Sequence, residues 1–227
     1  PEHLFGESAP TRGVTLWENA GVRLWHIPEQ DPGIGILSFT SKMHTIGDEV
    51  LDGVLHAVAH SERHLDALVL WHDAPFAVGA NLSQVVQACV PTVAAVQGMA
   101  LGGGCEFLMH CSHRVLALES YIGLVEAGVG LVPAGGGSKA LAARAAALAS
   151  TTATPAEVFP YLQPVFQNIA TAQVSKSALQ AIDMGYAQAH DTVVFHPDEL
   201  LWVAIRQARA AADAGHIPPL PITDIPV

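Results

Sequence analysis

Three consecutive glycines, Gly102-Gly103-Gly104, stand between a β-branched run, Val93-Ala94-Ala95-Val96, and an apolar stretch that continues from them to His110. The spacing predicts a strand that turns through a Gly-rich segment into a helix running from about Gly103 to His110. Glycines there let a ligand approach the backbone, and a helix start presents free N–H groups to an oxygen carrying negative charge. A tight strand-to-helix turn accounts for the glycines alone. It does not account for Glu106, just inside the apolar helix, because an unpaired buried carboxylate is costly.

The surrounding chain places that junction in an α/β fold. Residues 21–27 and 33–41 are short, β-branched and bounded by Gly or Pro, and they predict a strand hairpin. From Gly47 to about Ser61, Val50, Leu51, Val54, Leu55 and Val58 recur at helical spacing, and Leu68-Val69-Leu70-Trp71 predicts a buried strand. A further strand is expected at Arg114 to Leu118. Strands alternating with helices argue for parallel pairing. Beyond Pro133 helices take over: Thr154-Pro155-Ala156-Glu157 is a capping box that predicts a helix start, with Pro160 and Pro164 predicting a kink or an early break. A last helix is expected from Pro197 to Ala214, with Asp198 and Glu199 near its positive end and Gly215 as its stop, followed by a Pro-rich tail. No repeat or linker marks a second domain. Residues 1–185 are read as the core and 186–227 as a C-terminal helical segment and tail of the same domain.

Half of the residues are hydrophobic and only 14% are charged, so much surface is expected to be buried within the domain or against partners. No run reaches the roughly 18 apolar residues of a membrane helix. The start, Pro1-Glu2-His3, lacks Met, which raises the expectation of a longer parent chain. A formal charge of -11 and a pI near 5.4 argue against nucleic acid as a partner. Three cysteines, an odd number without a secretory segment, point to reduced thiols in the cytoplasm.

A second Gly-rich run, Tyr121 to Ser138, again holds one carboxylate, Glu126, among apolar neighbours. Two such glutamates suit paired acid/base work, since burial and mutual repulsion push their pKa values apart.

Phe76-Ala77-Val78-Gly79-Ala80, then Gly98 to Glu106, then Ile122-Gly123-Leu124-Val125-Glu126 through Pro133-Ala134-Gly135-Gly136-Gly137 resemble, in order, the three signature segments of the enoyl-CoA hydratase/isomerase (crotonase) family. The similarity runs from about Val22 to Gly185. Glu126 to Pro133 most resembles the crotonase domains at the C-terminus of some bacterial 3-hydroxyacyl-CoA dehydrogenases of fatty-acid β-oxidation. The resemblance implies a crotonase fold, an α/β spiral of ββα units with a helical C-terminal part that helps form trimers or dimers of trimers. It implies an oxyanion hole from the N–H groups of Ala80 and Gly103, Glu106 holding and deprotonating a water, and Glu126 supplying a proton to the substrate α-carbon. Ala77, Val78, Gly79, Gly102, Gly104 and Pro133 would line the acyl-CoA. No metal or redox cofactor is implied, and coenzyme A arrives as part of the substrate. Two departures stand out. Asn81 replaces the Asp usual after the oxyanion-hole residue, and only Ser83 to Val90 separate Leu82 from Pro91, where the family places a longer helical segment. That short stretch is the expected place for a segment that orders around bound acyl-CoA.

Other constellations carry less. His56, His60 and His64 share one helical face and have metal-capable spacing, but a solvated face opposite the Val50-Val54-Val58 stripe explains them. His110-Cys111-Ser112-His113 sits where a helix hands over to a strand. Gly135-Gly136-Gly137-Ser138-Lys139 lacks the full spacing of a phosphate loop, and no Gly-x-Ser-x-Gly elbow supplies a hydrolase nucleophile. Reversible hydration of trans-2-enoyl-CoA is the expected reaction. An isomerase that keeps only the Glu126 carboxylate and a non-catalytic acyl-CoA-binding module are the rivals.

Overall fold

β2 (Val22–His26) and β3 (Ile34–Phe39) pair antiparallel, Val22 opposite Phe39 and Trp25 opposite Ile36, as two β-branched runs bounded by Gly and Pro predict. The computed structural model describes residues 9–73, 77–78, 88–151, 157–220 and 225. β1 (Val14–Glu18) adds antiparallel to β2. The sequence reading missed this strand, because its edge position leaves no clean inward-outward alternation. Its place is secured by Arg23, which donates to Thr15 Oγ1 (2.8 Å) and to the Gly13 carbonyl (3.0 Å).

From β3 onward pairing is parallel, through β4 (Ala67–Leu70), β6 (Thr92–Leu101), β7 (His113–Gly123) and β8 (Thr192–Val194). β5 (Ala77–Val78) joins the far end of β6, Ala77 opposite Ala100. Helices in chain order are α1 (Ala9–Arg12), α2 (Asp48–His64), α3 (Gly103–His110), α4 (Gly137–Ser150), α5 (Phe159–Ala170), α6 (Ala178–Asp183) and α7 (Leu200–Asp213). The α/β expectation holds, and the sheet is mixed.

Alternate side chains along the central strands enter two separate apolar layers. Leu37, Leu68, Leu70, Ala94, Val96 and Leu116 face one layer with Val50, Val54 and Val58 of α2 and Phe107 and Leu108 of α3. Ile36, Val69, Trp71, Val93, Ala95 and Val115 face the other, which α7 covers with Leu200, Leu201, Ala204, Ile205 and Ala208. Leu55, grouped with the α2 core stripe by spacing, is exposed on its flank.

β6 and β7 outrun the runs that announced them. Gly98–Leu101, expected in a Gly-rich turn, and Tyr121–Gly123, the head of the second Gly-rich run, are strand, paired Gly98 to Ser120 through Leu101 to Gly123. Cross-strand hydrogen bonds override the weak strand preference of glycine there. The ladder shifts register between Val96 and Gly98, where the buried Ser120 hydroxyl stands 2.7 Å from the Ala117 carbonyl and 3.2 Å from that of Val96. This long β6–β7 pair carries the Gly102 turn and Glu126 beyond the end of the main sheet.

The capping-box expectation is corrected. Thr154 to Ala156 lie outside the described residues, Glu157 is not helical, and α5 begins at Phe159. Pro160 falls in the first turn, where a backbone donor has no partner to lose, and Pro164 lies within a helix that continues to Ala170. Packing of α5 on α4 outweighs the one missing donor. The last helix behaves as predicted: a turn at Pro197–Glu199 leads into α7, and Gly215 follows it with φ 75°. The 186–227 segment is not only helical, since β8 completes the sheet edge beside β7.

Candidate active site

The chain leaves β6 through Gly102, whose φ of 56° and ψ of -123° suit glycine, and whose N–H donates to the Gly123 carbonyl at the end of β7 (2.9 Å). Gly103 therefore opens α3, where the first N–H groups have no acceptor within the helix. Gly103 through Met109 are all buried, so Glu106, one turn along, places its carboxylate in apolar surroundings with 2% exposure.

That carboxylate is held by a second helix start. Its Oε2 accepts from the Gly135 N–H (3.0 Å) and its Oε1 from the Gly137 N–H (2.9 Å), and Gly137 is the first residue of α4. Gly136 between them has φ 108°, and a Cβ there would stand 2.7 Å from Nε2 of His110. A Cβ on Gly137 would stand 3.0 Å from Cγ of Glu106. Burial raises the Glu106 pKa above its ordinary value, and the two N–H groups offset only part of that rise.

Glu126 begins a short turn, Glu126–Val129, immediately beyond β7. Its Oε1 lies 3.2 Å from where a Cβ on Gly102 would stand, so this carboxylate sits over the turn that starts α3. Its Oε2 is buried with no hydrogen-bond partner among the described residues. Burial raises its pKa, its own N–H and that of Val125 lower it, and the charge of Glu106 raises it further.

The structure thus gathers Gly102, Gly103, Gly104, Glu106 and Glu126 around one helix start, with buried Pro133 on the segment leading to the Glu106 clamp. Ala77 and Val78 lie one strand away, against Ala100 and Leu101. Gly79, Ala80, Asn81 and the short stretch up to Gln87 lie outside the described residues. Sequence reasoning missed the part played by Gly135 and Gly137. The signal was present: the faint likeness to a phosphate loop marks a helix start rich in free N–H groups, and here they face the protein's own carboxylate.

His56, His60 and His64 lie side by side along α2, the His60 and His64 ring centres 4.8 Å apart. His56 stacks on Trp17 with ring centres 3.9 Å apart, His110 Nδ1 is 2.6 Å from the Glu106 carbonyl, and Cys111 Sγ contacts the Phe107 carbonyl. No group of three or more His, Cys, Asp or Glu among the described residues could hold a metal ion. No described helix is long and apolar enough to cross a membrane.

Residues 71–156 match the family model for enoyl-CoA hydratase/isomerase. A probable 3-hydroxyacyl-CoA dehydrogenase of Bacillus subtilis is 30% identical over 237 residues, which is 92% of this chain and 29% of that protein. Human mitochondrial methylglutaconyl-CoA hydratase is 26% identical over 151 residues, 53% of this chain and 44% of that protein. The chain therefore spans less than half the length of either relative. The crystal structure of an enoyl-CoA hydratase from Bacillus anthracis superposes with a TM-score of 0.64 at 20% identity, over 85% of this chain and 76% of that one. The chain thus adopts the crotonase fold, and its central segment is similar to the enoyl-CoA hydratase/isomerase family.

Proposed function

We propose that the chain adds water reversibly to trans-2-enoyl-CoA, giving 3-hydroxyacyl-CoA. The observation that carries this is the unequal treatment of two neighbouring carboxylates: Glu106 is clamped by two backbone donors, while Glu126 has an oxygen with no described partner. The two donors orient the Glu106 carboxylate, and burial holds its pKa above the usual carboxylate value, so Glu106 is suited to accept a proton from water as its oxygen attacks the β-carbon. Glu126, raised by burial and by the charge of Glu106, is suited to hold a proton and deliver it to the α-carbon. One hydroxyl and one hydrogen are added to the double bond. Glu106 ends protonated and Glu126 ionised, and exchange with solvent resets the pair. Negative charge that develops on the thioester oxygen would be met by the Gly103 N–H at the start of α3, with Ala80 as its expected partner.

The clamped Glu106 favours hydration over double-bond migration, for which one carboxylate suffices. Similarity to a fraction of a protein named as a 3-hydroxyacyl-CoA dehydrogenase supports a chemical neighbour as well. The product proposed here is the substrate that such an enzyme's name describes, so an attached dehydrogenase domain and a trimeric or hexameric assembly are part of the proposal. The test is loss of the enoyl-thioester absorbance when the purified protein meets crotonyl-CoA. Binding of acyl-CoA without turnover, even beside the dehydrogenase domain, would instead make it a non-catalytic module.

A further inference from the structure

His56, His60 and His64 recur at every fourth position of α2, so their side chains follow one line along the helix surface. His56 and His64 are exposed and His60 is half-buried, while Val50, Val54 and Val58 of the same helix enter the core. The hydratase reading makes no use of these rings.

The three rings are not equivalent. His56 lies flat against Trp17, with planes 17° apart, and its ring centre stands 6.2 Å from that of His60. His60 and His64 are closer, 4.8 Å between centres, and their planes are tilted by 52°. A transition metal about 2.0–2.1 Å from a ring nitrogen lies about 3.2 Å from the ring centre, so two imidazoles about 90–110° apart at one metal have centres about 4.5–5.2 Å apart. The His60–His64 pair falls inside that interval and the His56–His60 pair outside it. Neutral imidazole is the form that binds a metal. Partial burial, the adjacent His64 and His56 rings and the Arg63 guanidinium hold the His60 pKa below its ordinary value, so its ring is neutral at pH 7.

We propose that His60 and His64 chelate one late divalent transition cation across a single turn of α2, Cu²⁺ ahead of Ni²⁺ and Zn²⁺, with water in the remaining positions. Imidazole nitrogen suits these ions, whereas Mg²⁺ and Ca²⁺ take oxygen ligands, and Cu²⁺ heads the affinity order. Two adjacent nitrogens with water completing a square plane is an arrangement that Cu²⁺ accepts. A closed tetrahedral zinc site needs further protein donors, and among the described residues no third His, Cys, Asp or Glu completes one. The two rings are held one turn apart only while α2 is helical, so the ion binds the folded chain in preference to the unfolded one.

The test is titration calorimetry of the whole chain with CuCl2, with every protein carrying His3→Ala so that the chain start offers no imidazole to Cu²⁺. His60→Ala and His64→Ala are each expected to weaken binding of one Cu²⁺ at least ~10-fold, and His56→Ala to leave it within about twofold, since only the first two remove a ligand. Circular dichroism checks that each variant keeps its helices. Electron paramagnetic resonance of the Cu²⁺ complex should show two equatorial nitrogens in the parent protein and one after either single substitution. Cu²⁺ should also raise the melting temperature of the parent protein and not that of the His60→Ala, His64→Ala double variant, and Ca²⁺ should raise neither. Affinity retained in either single variant, or lost equally in His56→Ala, overturns the proposal. Parent affinity no greater than that of the double variant does the same, and reduces the histidine line to a solvated face with adventitious ions only.

Discussion

Replacing Glu106 by Gln should destabilise the protein, whereas the same change at Glu126 should not. Glu106 accepts one N–H on each oxygen, from Gly137 at 2.9 Å and from Gly135 at 3.0 Å. A glutamine in that pocket offers one oxygen and one NH2 group, so in either orientation one backbone N–H faces another donor. A lost charge-assisted bond and an orphaned buried donor cost about 1.5–3 kcal/mol, from which relief of a buried charge subtracts, leaving a loss of about 2 kcal/mol. At Glu126 the Oε2 atom has no described partner to lose, so Glu126→Gln should lie within about 0.5 kcal/mol of wild type near pH 5. Its pH dependence has a definite sign. The folded pKa of Glu126 is raised, so its contribution to stability is full below the unfolded value of about 4.3 and is lost as pH rises through the folded one. Gln removes that loss, and the stability of Glu126→Gln relative to wild type should improve from pH 5 to pH 8. Urea unfolding followed by circular dichroism at both pH values measures each quantity. Equal destabilisation by the two substitutions, or a Glu106→Gln protein as stable as wild type, would refute the clamp.

Two further outcomes follow from the neighbouring geometry. Gly102→Ala forces a side chain into φ 56° and places a Cβ 3.2 Å from Oε1 of Glu126; it should cost about 1–3 kcal/mol of stability and at least tenfold in hydration, and a variant that folds with full activity contradicts the placement of Glu126 over that turn. Arg114 and Asp191, each 1% exposed, pair at 2.6 Å while Arg114 also donates to the Leu108 and Cys111 carbonyls at the end of α3; Asp191→Ala leaves that guanidinium buried and unpaired, and a loss of about 3–5 kcal/mol is expected, with a loss under 1 kcal/mol in urea unfolding as the contrary result.

Much of the fold was legible because several elements carry their own local signal. The 21–41 hairpin, α2, α3 and α7 are each announced by periodicity or by end signals, and they appear within a residue or a few of the expected bounds. What the sequence concealed depends on partners distant along the chain. β1 has no alternation to display, and its strand state comes from pairing with β2. Gly98–Leu101 looks like a turn, and Tyr121–Gly123 carries no strand signal of its own, until β6 and β7 are laid side by side. The site was legible in part. Glu106 and Glu126 stood out as carboxylates in apolar Gly-rich settings, and the structure sets both at the start of α3. The grip of Gly135 and Gly137 on Glu106 spans about thirty residues of sequence, so no local pattern could assign it.

The division of labour between the two carboxylates is tested most directly by giving wild type, Glu106→Gln and Glu126→Gln both a 2-enoyl-CoA and a 3-enoyl-CoA. Wild type should hydrate the 2-enoyl thioester, and each substitution should lower that rate by ~10² to 10⁴ with far less effect on binding. If instead wild type moves the double bond of the 3-enoyl thioester, Glu126→Gln abolishes the migration and Glu106→Gln leaves it intact, the chain is an isomerase and the role given to Glu106 is wrong.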